Sequence, residues 1–115
     1  MEEKLIELLE EFAFPVIRQG SLTESDEYPP TFFTFWNNEE SEAAAYDNQT
    51  YSTIYSFDVN IYSNNPDNVY RYLREARKLL KNNGWQTPDG GHDIASDEET
   101  HIGRGITVTY INLEN

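Results

Sequence analysis

Tyr51-Ser-Thr-Ile-Tyr-Ser-Phe-Asp-Val-Asn-Ile-Tyr-Ser63, running into Asn64-Asn65-Pro66-Asp67, changes its hydrophobic period once, from two residues to three and four. In the first part Tyr51, Thr53, Tyr55, Phe57, Val59 and Ile61 fall on one side, while Ser52, Ser56, Asp58 and Asn60 fall on the other. That alternation predicts a strand with one face on a core and one on water or a partner. Asn65 then stands where an N-cap is wanted, Pro66 at the first helical position, and Asp67 where a carboxylate favours the helix dipole. Val69, Tyr72, Leu73, Ala76, Leu79 and Leu80 recur at three and four residues, and Asn82-Asn83-Gly84 supplies a stop, with Gly84 suited to a left-handed terminal residue. An amphipathic helix over Pro66–Asn82 follows.

Reading outward from this pair, Thr31-Phe-Phe-Thr-Phe-Trp36 is a β-favouring run with aromatic side chains on both faces, a well-covered strand. Residues 37–49, rich in Asn and Glu, have no sustained apolar period and read as a solvated connection. Upstream, Leu5, Leu8, Leu9 and Phe12 share one helix face, predicting a short helix from Glu2 to Phe12 that Pro15 ends before a brief strand at Val16-Ile17. Gly20 and the acidic segment 23–30 read as a loop. Downstream, Pro88-Asp89-Gly90-Gly91 is a turn, His92 to Ser96 a weak strand, Ser96 to Gly105 an acidic loop, and Ile106 to Leu113 a strand. The expected fold is α+β over a single domain, residues 1–115: an antiparallel or mixed sheet of four to five strands, with an N-terminal helix and one long amphipathic helix packed on one face.

Composition narrows the function classes. The chain has no cysteine, so disulfides and thiolate metal sites are excluded. Its start, Met1-Glu2-Glu3-Lys4-Leu5, is acidic where a secretory signal is basic, and no apolar run nears the ~18 residues that span a bilayer. A soluble, intracellular product is expected. The net charge is −13, unevenly spread. Residues 66–82 hold five of the eight basic residues (Arg71, Arg74, Arg77, Lys78, Lys81) against Asp67 and Glu75, a balance of +3, and the remainder carries −16. Such a surface repels phosphate backbones and anionic membranes, so neither direct nucleic-acid binding nor membrane binding is expected.

The chemistry-bearing residues cluster late in the chain. His92, Asp93, Asp97, Glu98, Glu99 and His101 could form a metal or acid–base group, but no recognised ligand spacing is present and a solvated loop is the expected reading. Arg104 lies between Gly103 and Gly105, glycines that admit backbone conformations closed to other residues, and is expected to pair with Asp97, Glu98 or Glu99, or with a carboxylate of a neighbouring subunit. Trp36, Phe33, Tyr51, Tyr55, Tyr62 and Tyr110 could form a stacking platform; core packing and cross-strand pairs are the expected alternative. The basic row on the long helix is ordinarily a solvated face, yet in so acidic a chain it complements the acidic loops of another copy. The candidate interface residues are therefore Arg71, Arg74, Arg77, Lys78, Asp97, Glu98, His101 and Arg104. No nucleophile arrangement, phosphate loop or dinucleotide fingerprint is present, so no catalytic residue, cofactor, metal or small-molecule substrate is expected.

A resemblance adds to these readings. Phe14-Pro15-Val16 with Gln19-Gly20, Tyr28-Pro29 before Phe32-Phe33-Thr34-Phe35-Trp36-Asn37, Tyr46-Asp47-Asn48, Phe57-Asp58-Val59-Asn60-Ile61-Tyr62-Ser63, and Ser96-Asp97-Glu98 through Thr100-His101-Ile102-Gly103-Arg104-Gly105-Ile106 together resemble a family of small structural proteins of tailed phages and prophages of Gram-positive bacteria. The likeness covers nearly the whole chain and is to head–tail joining, tail completion or tail terminator components. It implies a non-enzymatic domain that forms a ring with copies of itself or docks onto the tail tube. Its partners would be other tail or connector proteins, and it would be found in the host cytoplasm during assembly and then in the virion. A different class of reading, an acidic inhibitor that imitates DNA, predicts carboxylates spaced like phosphates along one face. An enzyme built on His92 to His101 requires those groups to converge and a pKa to be shifted by burial.

Overall fold

The computed structural model describes residues 1–21, 27–44 and 51–114. In chain order the elements are α1 (Glu2–Glu10), β1 (Val16–Arg18), β2 (Thr31–Ala44), β3 (Tyr51–Ser63), α2 (Pro66–Asn82), β4 (His92–Ile94) and β5 (Ile102–Glu114). The strands form one mixed sheet in the order β1-β2-β3-β5-β4, in which only β1 and β2 run parallel.

β3 and α2 carry the design. β3 is central and pairs along its whole length with both β2 and β5. α2 starts as its sequence demands: the Asn65 side chain accepts from the Asp67 amide at 3.1 Å, with Pro66 beside it. It ends at Asn82, and Gly84 takes φ 90° just beyond, a conformation that costs glycine little. Leu5 and Leu9 of α1 and Val69, Leu73, Ala76 and Leu80 of α2 belong to one buried cluster with Phe33, Phe35, Phe57, Val59, Ile61, Ile106 and Val108. The strand members of that cluster share one face of the sheet, as their pairing requires: Phe57 lies beside Val108, Val59 beside Ile106, and Phe33 beside Ile61. Phe33 and Phe57 are among its largest fully buried side chains, each contributing roughly 1.5–3 kcal/mol of burial.

Four boundaries differ from the expectations by more than one residue, one of them that of β4, which stops at Ile94 and not Ser96. α1 stops at Glu10, because Ala13 turns the chain at φ 63°. The turn lets Phe12 and Phe14 both reach Phe33 and Tyr72, at ring separations of 4.8–6.2 Å. β2 does not end at Trp36 but runs to Ala44, so the solvated connection expected over 37–49 is a strand in its first part; residues 45–49 lie outside those described. Residues 36–40 are all exposed, and a strand in water needs no apolar alternation when its neighbour β3 satisfies its backbone. β5 begins at Ile102, four residues before its expected start, and so takes in Gly103, Arg104 and Gly105.

The extended β2 gives the molecule its shape, with principal extents of 53, 27 and 22 Å. A bulge between Asn37 and Glu39 puts two β2 residues against one step of β3 and resets the alternation. Glu40 and Glu42 therefore stand on the helix-side face opposite Tyr55 and Thr53, and Glu39 stands on the outer face opposite Ser56. β1 covers only Phe33 to Phe35 of β2, so among the described residues the outer edge of β2 from Asn37 onward has no strand beside it. Exposed glutamates along such an edge discourage indiscriminate strand pairing.

Candidate assembly surface

α2 buries Val69, Leu73, Ala76 and Leu80 and turns its basic residues outward. Arg71, Arg74, Lys78 and Lys81 are exposed and Arg77 is half-buried. Arg71 is paired with Glu75 at 3.6 Å, an exposed contact one helical turn apart that contributes about 0.3–0.5 kcal/mol. Among the described residues no ion pair involves Arg74, Arg77, Lys78 or Lys81, although acidic residues outnumber basic ones 21 to 8.

Arg104 joins this surface from the sheet. Its partner is Asp93, with Nη1 donating to Oδ1 at 2.8 Å across the β4–β5 pairing, and not Asp97, Glu98 or Glu99 as expected. The reason is alternation. With residues 102–105 in a strand, Arg104 lies opposite Ile61 on the helix-side face, where its guanidinium sits 5.1 Å from the centre of the Tyr70 ring. The flanking glycines serve close packing. Neither has a positive φ; a Cβ on Gly103 would lie 2.7 Å from the Tyr62 ring, and one on Gly105 would collide with the Asn60 side chain.

The acidic loop lies on the other side of the sheet. Ser96 Oγ accepts from the Glu98 amide at 3.2 Å, and the Glu98 carbonyl accepts from the His101 amide at 3.1 Å, folding the loop on itself. His101 is buried at 8% exposure. Its Nε2 donates to the Pro29 carbonyl at 2.8 Å, and its Nδ1 shares a hydrogen bond with the Thr100 hydroxyl at 2.9 Å, so both ring nitrogens have partners. Tyr28 and Phe32 pack against the ring. Asp97 lines a small cavity of about 60 Å³ with Gln19, Thr34 and Tyr62, in which the Thr34 hydroxyl donates to Gln19 Oε1 at 2.7 Å. Burial, aided by the nearby Asp97 charge, pushes the Tyr62 phenol above its ordinary pKa, against a hydrogen bond with Gln19 that lowers it.

The eight candidate residues thus divide. Arg71, Arg74, Arg77, Lys78 and Arg104 share the helix side, and Asp97, Glu98 and His101 belong to the opposite loop. His92 is exposed, and among the described residues no group of three or more His, Asp or Glu side chains converges to hold a metal ion. The aromatic residues are divided too: Phe33, Tyr55 and Tyr110 stand on the helix side, whereas Trp36 and Tyr62 stand on the outer face. Three contributors escaped the sequence reading. Tyr70, one turn before Arg74, was legible from helical spacing alone; Glu40 and Glu42 were not, since their face depends on the bulge. No protein-family model matches the sequence, and no curated protein resembles it significantly.

Proposed function

We propose that this chain is a non-enzymatic structural protein of a tailed phage or prophage, of the tail terminator or tail completion type. It acts at the head–tail interface by forming a ring with copies of itself or by docking onto the tail tube. The observation that carries the assembly part is the separation of unpaired charge. Arg74, Arg77 and Lys78 have no acidic partner among the described residues of their own chain, while an elongated sheet bears exposed Glu39, Glu40 and Glu42 at its other end. Opposite charges on separate parts of one molecule favour head-to-tail contact, which closes into a ring when the rotation permits. The acidic remainder suits a protein beside a DNA passage, because it does not retain the polyanion. The phage assignment rests on the resemblance of Phe32 to Asn37, Phe57 to Ser63 and Thr100 to Ile106 to small proteins of that kind.

The imitation of DNA has less support, since Glu39 faces away from Glu40 and Glu42 and the acidic loop sits on a different surface again. Immunogold electron microscopy of the phage particles whose genome encodes the chain tests the proposal. Label at the junction of head and tail is the expected result. Particles that carry no label would refute it.

A further inference from the structure

Three of the eight basic side chains meet in one recess. Arg74, Arg77 and Arg104, with Tyr70, Leu73 and Gly90, line a cavity of about 300 Å³ between α2 and the turn before β4. Arg104 is held in place by Asp93 and by the Gly91 carbonyl, which accepts from its Nη2 at 3.1 Å. Arg77 reaches only a neutral partner, the Thr87 carbonyl, at 3.1 Å, and its Nε is buried with no acceptor. Three arginines line the recess and only one of them, Arg104, is paired with a carboxylate among the described residues, so their like charges repel. That repulsion is relieved when carboxylates occupy the recess, because a guanidinium fork matches a carboxylate with two parallel hydrogen bonds. Tyr70 and Leu73 supply an apolar wall for the methylenes of a glutamate side chain.

We infer that this recess is a carboxylate site occupied by Glu40 and Glu42 of a second copy of the chain, an inference that rests on the assembly reading above. These two glutamates are exposed, stand on one face two residues apart, and have no ion-pair partner among the described residues. On a strand that spacing separates them by about 6.6 Å, suited to engaging two guanidiniums at once. A chain cannot fill its own recess. Glu42 pairs with Thr53 and Arg104 with Ile61, eight steps apart on β3, or roughly 26 Å at the strand rise, with Arg104 on β5 and Glu42 across β3 on β2. Acid and base thus lie at opposite ends of the sheet, on strands β2 and β5 that flank β3, the arrangement a head-to-tail contact needs. A second copy also brings the right counter-charge, whereas a phosphate backbone is opposed by the −16 carried outside residues 66–82.

The test pairs two variants of the full chain, Arg74→Glu/Arg77→Glu and Glu40→Arg/Glu42→Arg, with association followed by sedimentation velocity. Each alone should associate at least tenfold more weakly than wild type, and an equal mixture should recover most of the loss, since each then offers the surface the other lacks. Unchanged melting temperatures show that both are folded. If wild type associates and the reversals have no effect, or the mixture fails to recover, the inference falls while the assembly reading stands. A peptide of residues 37–44 separates the site from assembly even in a monomeric protein. It should perturb the Arg74, Arg77 and Arg104 Nε–Hε resonances in a saturable way, at least tenfold better than the peptide with Gln at positions 40 and 42. Inorganic phosphate producing the same shifts at the same concentration, or no shift with the peptide, would overturn the inference.

Discussion

Replacing Gly103 by alanine tests whether the sheet admits Arg104 by leaving no room beside it. A Cβ at Gly103 would lie 2.7 and 2.8 Å from two Tyr62 ring carbons and 2.8 Å from Ile94 Cγ1, well inside ordinary contact. Tyr62 cannot simply swing away, because it is 8% exposed and stacked on Phe32 with ring centres 5.3 Å apart. Forcing a methyl into such packing costs about 1–3 kcal/mol. The stiffer unfolded chain of an alanine variant returns about 0.4–1 kcal/mol. The net loss is therefore about 1.5 kcal/mol, a fall in Tm of roughly 5–8 °C for a domain of this size, or a urea midpoint lower by roughly 1 M. Fluorescence of the buried Trp85 reports the unfolding. Gly90→Ala is the control, since a Cβ there meets nothing within 4 Å and the change should stay within about 0.5 kcal/mol. If the cost of Gly103→Ala is the same in a Tyr62→Ala/Ile94→Ala background, where both crowding side chains are gone, crowding is not its cause and the reasoning is refuted.

Ala13 sits at φ 63°, a conformation that costs an L-residue about 1–2 kcal/mol, so Ala13→Gly should raise stability by about 0.5–1 kcal/mol in thermal melts even though it loosens the unfolded chain. Asn65→Ala removes the acceptor of the Asp67 amide and should cost about 1 kcal/mol, read from the urea midpoint. The raised pKa of Tyr62 means that the folded state prefers the neutral phenol; that contribution is whole below the ordinary value of 10.0 and is lost as pH rises through the higher folded value. Denaturation between pH 8 and 11 should accordingly show a loss in wild type that Tyr62→Phe reduces, and ultraviolet titration should show one tyrosine ionising late.

The central strand and the long helix were legible because each carries its own local pattern. β3 alternates over its whole core length, and α2 adds a cap, a first-turn proline and a terminal glycine to its apolar stripe. β2 beyond Trp36 had no such signal, since a ribbon in water owes its form to backbone pairing with β3, a non-local partner. Gly103 and Gly105 signalled a loop in one dimension, whereas in the sheet they make room for Tyr62 and Asn60. The partner of Arg104 depended on register: once Gly103 to Gly105 lie in β5, Asp93 is opposite and the acidic loop is behind the sheet. The basic row of α2 could be read from helical spacing, but its convergence with Arg104 on one recess required the topology that places β5 beneath the helix.

Native mass spectrometry of the wild-type chain over a concentration series, at low and moderate salt, tests assembly through complementary charge most directly. A discrete closed oligomer that dissociates as salt rises is the predicted result, because exposed charge pairs are screened over about 8–10 Å at moderate ionic strength. A strict monomer at every concentration and both salt levels would contradict self-assembly through these surfaces.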